Sequence, residues 1–145
     1  MIATGYAGYR NAMAHKTESK EEILLMLYEG ALISLRIARR GIREKNSKLK
    51  GEQISKVLAI LTELDCALDR ENGGDLSEKM SALYGYMINR LTTANIKNDL
   101  EPLKEVERLL NELYEGFKQI AGQDVLPVYT KNAEPEITGG VSIAI

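Results

Sequence analysis

Residues 83–99, LYGYMINRLTTANIKND, carry apolar side chains at Leu83, Met87, Leu91 and Ala94. Steps of four, four and three put these on one side of a helix, not on alternate faces of a strand. The stretch contains no proline and runs into Asn98-Asp99, so it predicts a long helix followed by a turn. It is richer in aromatics and amides than a plain bundle helix requires. Tyr84 and Tyr86 flank the apolar line, and Arg90 follows Tyr86 by one turn on the same side.

Upstream, Asp75 with Glu78 three residues later reads as the cap of this helix, and Leu76 and Met80 extend its apolar line. Ser19 and Glu22 form a similar capping box before the line Leu24, Leu27, Ala31, Leu35, Ala38, Ile42, with Asn46-Ser47 as its end. A second helix carries Ile54, Val57, Leu61, Leu64 and Leu68 and is stopped by Gly73-Gly74. A fourth starts at Asn98-Asp99, tolerates Pro102 in its first turn, carries Leu103, Val106, Leu110, Leu113, Phe117 and Ile120, and ends at Gly122. The expected helices span 19–46, 48–72, 75–97 and 99–121. Together they form a bundle over 19–122. Short connections make sequential helices antiparallel neighbours, giving an all-α, up-down-up-down four-helix bundle.

Two segments lie outside that plan. Residues 1–18 hold Ile2, Tyr6, Tyr9 and Met13 at steps of four, three and four among small residues, which suits a short docked amphipathic helix. Residues 123–145 contain Pro127, Pro135 and Gly139-Gly140 and read as a flexible tail or a short hairpin.

The first helix carries a surplus of apolar surface. Ile23 to Tyr28 are apolar without interruption, and Met26, Ile33 and Ile37 make a second line away from the core line. A helix apolar all round needs cover all round. The N-terminal segment, the C-terminal tail or a partner chain would supply it. Tyr86, off the Leu83–Met87 line, suits either partner contact or the edge of the core. Leu24, Leu61, Leu83 and Leu110 are read as core.

Composition narrows the function classes. A chain of 145 residues with net charge −2, 28% charged and 44% hydrophobic residues makes one soluble domain without the basic field of a nucleic-acid binder. The cations from Arg36 to Lys50 read as a solvated helix end. One cysteine, Cys66, leaves no internal disulfide or cysteine-based zinc site, and is read as a small core or boundary residue. No apolar run reaches the ~20 residues of a membrane span, and no signal peptide is visible, so the cytoplasm is expected. The single histidine, His15, precedes the bundle. A phosphotransfer domain would need it exposed in mid-helix, and a di-iron bundle would need Glu-x-x-His pairs on two helices. No enzyme, cofactor or metal is expected.

Three runs carry a family resemblance: LMLYEGA (Leu25 to Ala31), ENGGDLSEKMSALYGYMINRL (Glu71 to Leu91) and ANIKND (Ala94 to Asp99). EVERLLNEL (Glu105 to Leu113) extends it, so that it covers about residues 5–121. Together they resemble the FliS family of flagellin-specific export chaperones. The resemblance implies an elongated antiparallel bundle without enzymatic activity that binds the disordered C-terminal segment of flagellin. It also implies that flagellin is kept monomeric and presented to a membrane protein of the flagellar type III export gate. In the family, aromatic or aliphatic residues near the N-terminus contact partners and cover the bundle; Tyr6 and Tyr9 match them. Three features depart from the pattern. Thr17-Glu18-Ser19-Lys20 keeps the serine cap but lacks the family's proline, Phe117 stands where tryptophan is frequent, and the tail after Gly122 is longer and more apolar.

Combining both readings, the candidate partner-contacting residues are Ile2, Tyr6, Tyr9, Met26, Tyr28, Ile33, Tyr84, Tyr86 and Arg90. Residues 1–13 are expected to lie over the bundle and shift when client binds. The alternative function is a regulatory adaptor or scaffold whose target is a folded protein.

Overall fold

A computed structural model describes residues 20–120 and Tyr129. Four helices follow one another: α1 (Lys20–Arg43), α2 (Ser47–Cys66), α3 (Gly74–Lys97) and α4 (Leu100–Ile120). At 20 to 24 residues each, they are rods about 30–36 Å long. Each packs on its sequence neighbours and α4 returns against α1, which closes an antiparallel four-helix bundle.

The apolar lines meet in one core. Leu24, Leu27, Ala31, Leu35 and Ala38 of α1 face Ile54, Val57, Leu61 and Leu64 of α2, Met80, Met87, Leu91 and Ala94 of α3, and Leu103, Val106 and Leu110 of α4. The expected line of α3 is corrected by one residue. Tyr84 occupies the core, Leu83 is half-buried at its edge, and Leu76 is exposed. The position gained by Tyr84 is set by a partner across the bundle, because its hydroxyl meets that of buried Tyr28.

Three turn assignments change. α1 ends at Arg43, and Asn46 is instead the N-cap of α2, its side chain accepting from the Leu49 amide at 3.1 Å. α2 stops at Cys66, well before the glycine pair. Asp69 organises the connection: its Oδ1 accepts from the Glu71 and Asn72 amides at 3.1 and 2.9 Å. These bonds hold its carboxyl below the ordinary value, the Asn72 amide contributing most. Asp75 does not cap α3. Gly73 is the N-cap and makes no side-chain bond. A Cβ at 73 would lie 2.4 Å from the Asp69 carbonyl oxygen, and Gly74 sits at φ 58, so the pair serves the turn geometry. At the other end Asn98 closes α3 in the left-handed region, and Asp99 Oδ1 accepts from Glu101 N at the start of α4.

The N-terminal segment and its cap, His15 and the Gly139-Gly140 hairpin lie outside the described residues.

Candidate functional site

Core packing leaves Ile33 on α1 and Leu76, Tyr86 and Ile96 on α3 exposed, on two flanks. On α3, Leu83, Tyr86 and Arg90 follow one another at helical spacing. Glu105 of α4 ties this line to the α3–α4 seam. Tyr86 donates its hydroxyl proton to Oε2 at 2.6 Å, and Arg90 Nε donates to Oε1 at 2.8 Å. The two bonds hold the Glu105 carboxyl below its usual range, Tyr86 contributing most, and the carboxylate in turn raises the Tyr86 phenol. With its hydroxyl held, Tyr86 keeps 45% of its surface in solvent as a set aromatic platform. Exposed Leu76 stands near the start of the same helix and Ile96, 74% exposed, near its end. Sequence reading placed Leu76 in the core line and did not single out Ile96. The only prior signal for Ile96 was its position on the side of α3 opposite Met87.

The second flank is the outer side of α1. Ile33 is 52% exposed, while Met26 and Ile37 are half-buried beside it at helical spacing. α1 and α3 are not sequential neighbours in the closed bundle, so these lines lie on separate flanks.

Two sequence-derived candidates are not surface residues. Tyr28 and Tyr84 are fully buried, with their hydroxyls 2.5 Å apart. Burial drives both phenols well above their ordinary ionisation range. The six-residue apolar run of α1 is thus partly consumed by the core at Leu24, Leu27 and Tyr28. Ile2, Tyr6 and Tyr9 lie outside the described residues.

Beside the apolar flanks, a charged cleft of about 320 Å³ separates α1 from α4, lined by Leu32, Arg36, Arg39, Lys104, Glu107, Arg108 and Asn111. Arg39 is drawn into it by an ion pair with Glu107 at 2.8 Å, whereas Arg36, Arg40 and Arg43 are exposed. Cys66 is exposed rather than core, and partial desolvation together with Glu63 and Asp65 raises its thiol, the opposite of activation. Among the described residues no cluster of His, Cys, Asp or Glu could hold a metal ion, and no helix is long and apolar enough to cross a membrane.

A family model described as flagellar protein FliS matches residues 2–124. The flagellar secretion chaperone FliS of Salmonella typhimurium is 38% identical over 117 residues, covering 80% of this chain and 87% of that one. That of Bacillus subtilis is 36% identical over 118 residues, covering 81% and 86%. That of Vibrio cholerae is 34% identical over 102 residues, covering 70% and 75%. With a family match across most of its length and these relatives alongside a closed four-helix bundle, the chain belongs to the FliS family.

Proposed function

We propose that this protein is a cytoplasmic flagellar secretion chaperone whose client is the disordered C-terminal segment of flagellin. The observation that carries the reading is apolar surface on separate flanks: exposed Ile33 on α1, continued by half-buried Met26 and Ile37, and exposed Leu76, Tyr86 and Ile96 on α3, continued by Leu83 at the edge of the core. A rigid partner docking on one face would cover one line and leave the other wet. An unfolded segment can follow the bundle and cover both. Ordering such a segment costs several kcal/mol, so a wrapped surface is the economical solution for tight binding. While wrapped, the segment is withheld from other flagellin molecules. Release at a membrane component of the export gate then needs only local detachment, without catalysis or cofactor. Tyr86 and Arg90, both held by Glu105, are the first contacts assigned on α3.

Calorimetric titration with a peptide of the last ~40 residues of flagellin, long enough to wrap several helices, tests this. Binding with a large negative heat-capacity change is expected, as coupled folding buries about 1,000–3,000 Å². Equal affinity for flagellin lacking that segment would assign the protein to the adaptor class instead.

A further inference from the structure

One described residue beyond α4 reaches back into the bundle. Tyr129 pairs with Leu68 through an isolated antiparallel bridge. Its ring meets Phe117 edge-on, with centroids 6.1 Å apart and planes at 69°. Phe117 also packs on Tyr28 at 5.5 Å. The Tyr129 hydroxyl meets that of Tyr84, which meets that of Tyr28. The place Tyr129 fills is thus bounded by the Phe117 ring of α4, the backbone at Leu68 after α2, and the phenol ends of Tyr84 on α3 and, beyond it, Tyr28 on α1. Tyr129 itself is half-buried, with its hydroxyl against that of fully buried Tyr84.

Two fully buried tyrosines are an unusual floor for a groove, because a buried hydroxyl is costly without a partner. An apolar guest side chain would leave the Tyr84 hydroxyl with one neighbour fewer. A guest bearing a hydroxyl completes the chain. Sites built to bond a hydroxyl discriminate strongly against guests lacking it.

We propose that this pocket is a binding site for a tyrosine side chain of the client segment, and that Tyr129 is a built-in occupant which the client displaces. This rests on the client-binding reading above. Occupation by Tyr129 reduces the apparent affinity in proportion to the free fraction of the pocket. If Tyr129 sits in place nine-tenths of the time, the reduction is roughly tenfold.

Two measurements on the full-length chain test it. First, Tyr129→Ala should bind p-cresol, seen as ligand-induced chemical-shift changes and a raised melting temperature, while toluene binds more weakly and the wild type binds p-cresol more weakly than the variant by the same free-fraction relation. Second, Tyr129→Ala should bind the flagellin C-terminal peptide roughly tenfold more tightly than wild type, by the free-fraction relation. Should Tyr129→Ala lose its cooperative melting, Tyr129→Phe takes its place, since it keeps the ring and removes the hydroxyl bond; a gain smaller than that of Tyr129→Ala is then expected. Wild type and variant binding the peptide equally, or the variant more weakly, would show that Tyr129 merely completes the core. Absence of peptide binding by both would instead overturn the client reading, and displacement by client with it. Failure of p-cresol to bind folded Tyr129→Ala would refute the pocket whatever the peptide does.

Discussion

Gly41 of α1 rests directly on the backbone of Lys50 in α2: a Cβ at position 41 would stand 2.8 Å from the Lys50 nitrogen and 3.1 Å from its Cα. Backbone inside a helix cannot yield as a flexible side-chain tip can. Gly41→Ala is therefore expected to destabilise the protein, because overpacking costs about 1–3 kcal/mol and the gain in helix propensity returns only ~1. Gly116, exposed in α4 with open space around it, is the control. Gly116→Ala should stabilise by about 0.5–1 kcal/mol. Denaturant midpoints of the two variants should move in opposite directions; a shift of the same sign would contradict the close crossing.

The same lysine ties α2 to the far end of α3. Lys50 is buried, and its Nζ donates to the Asn95 carbonyl at 2.9 Å and to Asn98 Oδ1 at 2.6 Å. Lys50→Met keeps most of the volume but removes two hydrogen bonds from a charged donor, one of them to the half-buried Asn95 carbonyl, so a loss of about 1–3 kcal/mol is expected. Asn98 adds a backbone requirement, since it sits at φ 53. Asn98→Ala loses the side-chain bond and strains the left-handed turn, which costs about 1–2 kcal/mol. Asn98→Gly loses the bond alone and should melt above Asn98→Ala. The reverse order would mean that the turn carries no strain.

Glu105 gathers Tyr86 and Arg90 but lies at the surface, where ion pairs contribute little. Glu105→Gln should change global stability little, while leaving one acceptor oxygen for two donors and so loosening the hold on the Tyr86 ring. The expected result is weaker binding of the flagellin peptide with an intact melting transition. Because the folded carboxyl lies below its usual range, any stabilisation it gives is present above the unfolded carboxylate pKa. It is lost as the pH falls through the folded value. Wild type and Glu105→Gln should therefore converge in melting temperature on acidification, and a difference that grows in acid would argue against the network.

What the sequence conveyed depended on how local each feature is. Helix number and order, and the core lines of α1, α2 and α4, were legible because periodicity is a property of one segment at a time. Tyr84 was misplaced because its burial depends on Tyr28, distant in sequence, which offers the hydroxyl that makes a core tyrosine tolerable. The cap of α3 was misread for a similar reason. Asp75 and Glu78 have capping-box spacing, but the Asp69 turn upstream delivers the chain through Gly73 and Gly74 instead. On the candidate surface, the Tyr86–Arg90 line was visible from spacing, whereas its anchor Glu105 lies on another helix. Tyr129 had no local signal at all, being one aromatic in a segment of breakers.

The buried phenols make a last prediction about alkaline stability. Burial carries Tyr28 and Tyr84 well above the ordinary value of 10.0 and takes Tyr129 to about 12. Tyr114 also reaches about 12, there because its hydroxyl donates to the Glu29 carboxylate. Between these values the unfolded chain has released protons that the folded chain retains, so stability falls with rising pH. The contribution is complete below pH 10.0, and the share of Tyr129 and Tyr114 disappears as the pH climbs through about 12. In a rapid jump to strong alkali, the tyrosinate absorbance should therefore rise in two phases. A fast phase reports phenols open to solvent, Tyr129 among them through its local release, and a slow phase from the fully buried Tyr28 and Tyr84 should share its rate constant with the loss of helical circular dichroism. Tyr84→Phe, which removes the central hydroxyl of the chain, should reduce the amplitude of the slow phase and quicken it. A single immediate phase in the wild type would mean that solvent already reaches the hydroxyls at the base of the bundle.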